Sequence, residues 1–185
     1  MVIEIMGNKA GWLTLYTGVA GGADIILIPE IPYNIEKVAK AVDDRAKAGK
    51  SFSILAVAEG CMDADEAKMK KKDRQRLRAE NGYNTATVRI AKDIERITGF
   101  ETRTVVPGHM LRGGSPSAYD RVLATQFGAR AAKLILNEKY GYTVAKIGTK
   151  IGENPLSDVT MKTKFVPLDD KVVVAARDIG ISFGD

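Results

Sequence analysis

The run Ile25-Ile26-Leu27-Ile28 narrows the fold more than any other stretch of this sequence. It is unbroken, mostly β-branched, and bounded by Gly21-Gly22 on one side and Pro29 on the other. A strand that is apolar on both faces must be covered on both faces, and its length and branching fit a parallel sheet. Val2 to Met6 and Phe52 to Ala58 have the same character. Between these strands lie helical patterns. Trp12 to Ala20 carries Leu13, Tyr16 and Ala20 at helical spacing and stops at Gly21-Gly22. Ile35 to Ala48 puts Ile35, Val38 and Val42 on one face and Glu36, Lys37, Lys40 and Asp43 on the other. Asn34 is its expected N-cap and Gly49 its end.

The alternation continues. Thr85 to Thr98 is an amphipathic helix closed by Gly99, and Thr102 to Val106 is a strand. Ser117 to Asn137 is a long helix with an apolar stripe through Tyr119, Val122, Leu123, Phe127, Ala131, Leu134 and Ile135. Tyr142 to Ile147 and Thr149 to Ile151 suggest a hairpin, a strand or turn follows near Pro155, and a last helix covers Lys171 to Ile179. This order predicts an α/β fold with a mainly parallel sheet and flanking helices. Residues 61–82 interrupt it. The highly charged run Lys68 to Arg78 predicts an exposed helical insertion. It lacks interleaved aromatics, so a solvated face is expected and no nucleic-acid partner.

Composition excludes other classes. With 45% hydrophobic and 28% charged residues the 185-residue chain is globular, not disordered. No apolar stretch approaches the ~20 residues that span a bilayer, so no membrane association is expected. Cys61 is the single cysteine, which rules out an internal disulfide and suits a reducing cytoplasm. Met1 leads directly into the first strand with no signal-peptide pattern, so a cytoplasmic location is expected. The net charge of +5 fits a small anionic ligand at least as well as a polyanion.

In parallel sheets ligands gather beyond the C-terminal strand ends. Gly7-Asn8, Glu30 and Glu59 follow the first three strands, and the segment Pro107 to Pro116 follows the fourth. That segment holds Gly108, Gly113 and Gly114, with His109 and Arg112 as donors. Ser115-Pro116 reads as an N-cap followed by proline at the first helical position. A glycine-rich loop entering a helix N-terminus is an anion site, most plausibly for phosphate. His109 is the sole histidine, which argues against a histidine or thiolate metal site. Glu59 can accept sugar hydroxyls or act as a cap or salt bridge. Glu30, after Pro29, reads mainly as turn geometry. Arg103 is either a ligand or an edge-strand charge.

Taken in order, Met6-Gly7, Ala10-Gly11, Ala20-Gly21-Gly22-Ala23, Ile28-Pro29-Glu30, Ala58-Glu59-Gly60, Thr102-Arg103 and the run Gly108-His109 through Arg112-Gly113-Gly114-Ser115-Pro116 to Tyr119-Asp120-Arg121 resemble 6-phosphofructokinase. The resemblance covers nearly the whole chain. It looks most like the bacterial branch with both ATP-dependent and pyrophosphate-dependent members. It implies phosphoryl transfer to the 1-hydroxyl of fructose 6-phosphate in glycolysis, with Mg2+ and ATP or pyrophosphate. By position it implies that His109 and Arg112 hold the sugar phosphate and that Glu59 accepts sugar hydroxyls. Met6, Gly7 and Asn8 would line the sugar near the transferred group. Arg103 would reach the 6-phosphate in a neighbouring subunit of a homo-oligomer.

Three departures matter. The family often shows Met-Gly-Arg where this chain has Met6-Gly7-Asn8, so the charge at position 8 is missing. The family's lysine near the effector site is Ala48, although Gly22-Ala23-Asp24 and Lys50 are present, so nucleotide activation is not expected. The Gly-Gly-Asp-Gly donor loop and the Thr-x-Asp-Asn-Asp motif with its catalytic base have no counterpart here. The chain therefore resembles the C-terminal portion, with no catalytic residue of its own and Mg2+ and donor bound mainly by the absent upstream half. Residues 1–112 are expected to form most of the sugar-phosphate lobe and 113–185 a helix and tail returning to the donor lobe. An inactive chain is expected; the competing reading is a non-catalytic sugar-phosphate-binding or regulatory module.

Overall fold

The computed structural model describes residues 1–83 and 85–185. It resolves into two compact units, one formed by Met1–Leu111 with Lys164–Asp185 and the other by Arg112–Thr163. The tail, expected to travel with the long helix, is therefore part of the first unit.

The first unit is built on a parallel sheet of β1 (Val2–Ile5), β2 (Ile25–Leu27), β3 (Leu55–Ala58) and β4 (Thr104–Val105), in the order β2-β3-β1-β4. Register pairs Val2 with Leu55 and with Thr104, and Ile25 with Leu55. The strands are shorter than the runs that announce them; Ile28, just past β2, is fully inaccessible, whereas Phe52 and Val106 at the ends of the expected third and fourth strands are exposed.

Alternate side chains of β1, β2 and β3 enter opposite cores, which is why these strands are apolar on both sides. Val2, Ile25, Leu27, Leu55 and Val57 pack with Val38 and Val42 of α2 (Ile35–Lys47) and with Ile90 and Ile94 of α4 (Ala86–Thr98). Ile5, Ile26, Ile28 and Ala56 pack with Leu15 of α1 (Trp12–Ala20) and with Val173, Ala176 and Phe183 of the tail. Each buried aliphatic contributes about 1.5–3 kcal/mol. The helices begin at their sequence signals. The Asn34 side chain accepts from Glu36 N and Lys37 N, and Thr85 accepts from Val88 N. Gly99 ends α4 at φ 73°, a conformation that favours glycine.

The charged segment after β3 forms a short 3-10 turn, Glu66–Lys68, and then α3 (Lys71–Glu80). In the tail, α7 (Lys171–Asp178) leads into a strand-like end. Ile26 N donates to Ser182 O at 2.9 Å and Asn34 N to Gly184 O at 2.7 Å, so the C-terminus closes the β2 edge. Arg177 clamps the last residue: its two Nη atoms donate to Asp185 Oδ1 at 3.0 Å and Oδ2 at 2.6 Å. These bonds hold the Asp185 carboxyl below its ordinary pKa. A lowered carboxyl stabilises the fold fully above its unfolded value of about 3.9 and loses that contribution as pH falls through the lowered folded value. Asp185→Asn is therefore expected to flatten the acid limb of the stability–pH curve while costing little relative to the acid-titrated parent at pH 2–3 (a range of about the carboxylate scale). Urea melts across that range check this.

The second unit holds α5 (Ala118–Leu136), the antiparallel hairpin β5 (Tyr142–Ile147) and β6 (Lys150–Pro155), and the single turn α6 (Leu156–Val159). Glu153 joins the hairpin to the helix by pairing with Arg130, and Lys139 reaches it at 2.7 Å. The expected apolar stripe of α5 is only partly covered. Leu134 is buried, Leu123 and Phe127 are half-buried, and Tyr119, Val122 and Ile135 are exposed.

Candidate functional site

Glu59 stands just beyond β3, and its own N–H donates to Ile5 O at 2.9 Å, continuing the parallel ladder. Its Oε1 accepts from Gly7 N at 3.2 Å and Asn8 N at 2.6 Å. The carboxylate thus holds the loop after β1, and among the described residues Oε2 has no protein donor. The loop turns with Ala10 N donating to Gly7 O at 3.2 Å. Asn8 sits at φ 54°, in the left-handed region that asparagine tolerates better than most side chains. Gly60 makes this approach possible: a Cβ there would lie 2.0 Å from the Asn8 carbonyl oxygen.

Glu30 has a framework role, not one confined to its turn. Gly11 N donates to both of its oxygens, at 2.9 and 3.1 Å, and Val166 N donates to Oε1 at 2.9 Å. One carboxylate thereby ties the loop before α1 to the tail. Gly11 cannot carry a side chain there, since its Cβ would be 2.4 Å from Ile28 Cβ.

A cavity of about 1110 Å³ opens over this rim. Glu4, Asn8 and Glu59 line it from the sheet, Arg74 and Arg78 from α3, and Phe165 from the tail. Glu4 is only 8% exposed, and its Oε2 has no hydrogen-bond partner. Leaving a buried acceptor unsatisfied costs about 1–3 kcal/mol, which makes this carboxylate a candidate acceptor at the cavity wall. The sequence signal was available: Glu4 is the one charge in the apolar strand Val2-Ile3-Glu4-Ile5.

The charged insertion is helical, as expected, and most of it is solvated. Its inward charges were not foreseen. Glu66 is 1% exposed and accepts from Arg78 Nε and Nη2, each at 2.7 Å. Arg89 of α4 reaches Glu66 at 3.2 Å and Asp63 at 2.7 Å. This network fixes the insertion against α4 within the first unit. Cys61 lies beneath it, and burial pushes its thiol well above the ordinary value, with Arg78 opposing. Arg74 is half-buried, with Nη1 against Met62 Sδ at 3.2 Å and Glu66 O at 3.4 Å.

The remaining sequence candidates lie elsewhere. Met6 and Gly7 precede Asn8 but do not line the cavity. Arg103 is exposed and pairs with Glu101 at 2.9 Å, the edge-charge arrangement within this chain. His109 is exposed in the 3-10 segment Gly108–Arg112 and does not line the cavity. Arg112 is exposed and belongs to the second unit.

The expected cap at Ser115 is corrected. Ser117 is the N-cap of α5, in a reciprocal box with Asp120: Asp120 N donates to Ser117 Oγ at 3.2 Å and Ser117 N to Asp120 Oδ2 at 2.9 Å. Ser117 hydroxyl and backbone donors hold the Asp120 carboxyl below its usual range. The positive end of α5 is therefore met by the chain's own carboxylate, and the simple loop-to-helix anion site is not formed.

Among the described residues no group of three or more His, Cys, Asp or Glu side chains could hold a metal ion. These side chains do not fit the Mg2+ that the resemblance implies.

A family model described as phosphofructokinase matches residues 1–135. The chain belongs to the phosphofructokinase family. It is 47% identical over its full length to an ATP-dependent 6-phosphofructokinase of Spirochaeta thermophila and 44% identical to ATP-dependent 6-phosphofructokinase 3 of Bacteroides thetaiotaomicron, covering 50% of each. The chain thus spans about half the length of the curated relatives it matches. Among solved phosphofructokinases, the pyrophosphate-dependent enzyme from Marinobacter aquaeolei matches with a TM-score of 0.69 at 23% identity, over 98% of this chain and 47% of that one. The Saccharomyces cerevisiae structure matches at 0.67 and 31% identity, over 85% of this chain and 20% of that one. The α/β architecture with its parallel sheet is that of phosphofructokinases.

Proposed function

We propose that this chain carries the fructose 6-phosphate-binding part of a glycolytic 6-phosphofructokinase and does not turn over substrate alone. The observation that carries the reading is Glu59, with Oε1 engaged by the Gly7 and Asn8 amides and Oε2 left toward a cavity at the strand ends. A carboxylate fixed in this way accepts sugar hydroxyls without reorganising. His109 and Arg112 hold the sugar phosphate; both are exposed, and neither has a carboxylate partner among the described residues. Arg103 acts across a subunit interface in a homo-oligomer, leaving Glu101 to do so. Catalysis needs a base and a donor loop, and Mg2+ with ATP or pyrophosphate belongs to residues outside this sequence. The setting is cytoplasmic; no described helix is long and apolar enough to cross a membrane.

Calorimetric titration with fructose 6-phosphate tests this. Glu59→Gln keeps an oxygen for the two loop amides but replaces the second acceptor with a donor. It is expected to weaken binding about ten- to a hundredfold, the worth of a charge-assisted bond of roughly 1.5–3 kcal/mol. Unchanged affinity would remove Glu59 from the site. Fructose 1,6-bisphosphate formation by the isolated chain, with either donor, would contradict the inactivity.

A further inference from the structure

Helix α3 forms one wall of the cavity over the strand ends, through Lys71, Arg74, Arg78 and Ala79. Little in its own sequence holds it there. Its 10 residues contribute nothing to either apolar core. Leu77 is its one large apolar side chain and is only half-buried. Its N-cap, Lys70, makes no side-chain cap bond, and Lys70, Lys71 and Lys72 crowd cations at the positive end of the helix. A helix this short is marginal in water even with better signals.

The segment that precedes α3 is, by contrast, built into the first unit. Tyr33 N donates to Met62 O at 3.1 Å, and Glu66 N donates to Asp63 Oδ1 at 2.7 Å. Arg89 of α4 pairs with both Asp63 and Glu66. Between this root and the helix, Met69 and Lys70 are extended. Beyond the helix, Gly82 turns at φ 72° in open space, where a Cβ would meet nothing within 4 Å. α3 is thus a short helix between two joints. Arg78 is its main fastening to the root: Nε and Nη2 donate to Glu66, and Nη2 also reaches Cys61 O at 2.9 Å. Arg74 adds longer contacts through Nη1 to Met62 Sδ and Glu66 O.

We propose that α3 is a latched cover of this cavity. With Arg78 seated on Glu66 the helix is formed and the wall is closed. With Arg78 released the helix melts between its two joints, and the cavity opens on that side. Glu66 keeps Arg89 as a partner when Arg78 leaves, so release strands no buried carboxylate and opening stays within the insertion. The cover has this role whatever fills the cavity.

Hydrogen–deuterium exchange of the full chain, read segment by segment, tests this. Arg78→Met is expected to speed exchange over residues 71–80 about tenfold or more, the worth of its bonds to a charged partner. Exchange over 86–98, in α4, should stay within about twofold of the parent, because the opening is local. Arg78→Lys keeps a charge for Glu66 but loses the fork that also reaches Cys61 O, and should fall between; it also serves if Arg78→Met fails to fold. Arg76→Gln removes an exposed pair with Glu80 on the same helix and should change exchange by no more than about twofold. Unchanged exchange over 71–80 in Arg78→Met would overturn the cover, and so would an equal acceleration of α4, which would mean that the whole unit loosens. Stopped-flow mixing with fructose 6-phosphate reads the opening as access: association and dissociation should both quicken several-fold in Arg78→Met. Unchanged rates beside faster α3 exchange would show that the helix melts without gating the cavity, which overturns its role as a cover. If the parent binds no fructose 6-phosphate, the proposed function falls, while the exchange comparison still upholds or overturns the latch.

Discussion

Glu66→Ala is expected to lower the unfolding free energy by about 3–5 kcal/mol, the usual cost of removing one partner from a buried ion pair. Glu66 is 1% exposed, while the Arg78 and Arg89 side chains it neutralises are 12% and 27% exposed. Without the carboxylate, Arg78 keeps only its bond to Cys61 O, and Arg89 falls back on Asp63 and Asp93. The two guanidiniums would then be partly buried and mutually repulsive. Urea denaturation reads the loss directly. A compensating change separates the ion pair's net worth from the cost of breaking it: Glu66→Met with Arg78→Leu is expected to recover most of the stability, because a well-packed apolar pair needs no desolvation of charge. A Glu66→Ala cost under about 1 kcal/mol would mean that the network behaves as a surface bridge and does not brace α3.

Gly60→Ala is expected to abolish measurable fructose 6-phosphate binding and to cost about 1–3 kcal/mol of stability, as overpacking does. The new methyl would sit 2.0 Å from the Asn8 carbonyl oxygen and 3.3 Å from Pro29 Cγ. The first contact is backbone, so no rotamer change relieves it. The loop must move, and the bonds from Gly7 N and Asn8 N to Glu59 stretch or break. Asn8, already at φ 54°, has little room to adjust. Thermal melts and titration separate the two effects. Normal affinity in a destabilised Gly60→Ala would show that the Gly7–Asn8 loop does not shape the ligand site.

Much of the sheet and its helices was legible because their signals are local. Trp12–Ala20 has its extent and its stop in the sequence, but its expected face is overturned, since Leu13, Tyr16 and Ala20 are exposed while Thr14, Leu15 and Gly18 are buried; Asn34 and Thr85 are caps placed directly before apolar periodic runs. Ser115 against Ser117 was also a local choice, and the deciding feature was present: Asp120 lies three residues after Ser117 and completes the capping box. Proline after Ser115 is an N-terminal preference, weaker than two reciprocal hydrogen bonds.

Non-local contacts were not legible. Nothing in Ser182-Phe183-Gly184 says that it lies along β2, because strand pairing depends on a partner more than 150 residues away (Ile25 bridges Ser182). The charge run showed that α3 would be solvated but not which of its cations turn inward, since that is set by Glu66 and by Arg89 on another helix. The candidate site divides the same way. Glu59 and Asn8 follow β3 and β1 in the sequence, and both line the cavity at the strand ends. Glu4 lines it too, but a single charge inside an apolar strand carries no spacing signal.

The proposed function requires fructose 6-phosphate to bind over the ends of β1 and β3. The most direct measurement is an amide chemical-shift titration of the isotopically labelled chain with fructose 6-phosphate. Saturable shifts are expected at Gly7, Asn8, Glu59 and Gly60. No shift at these four amides at saturating ligand, with changes confined to the separate cavity around Lys50 and Phe52, would contradict it.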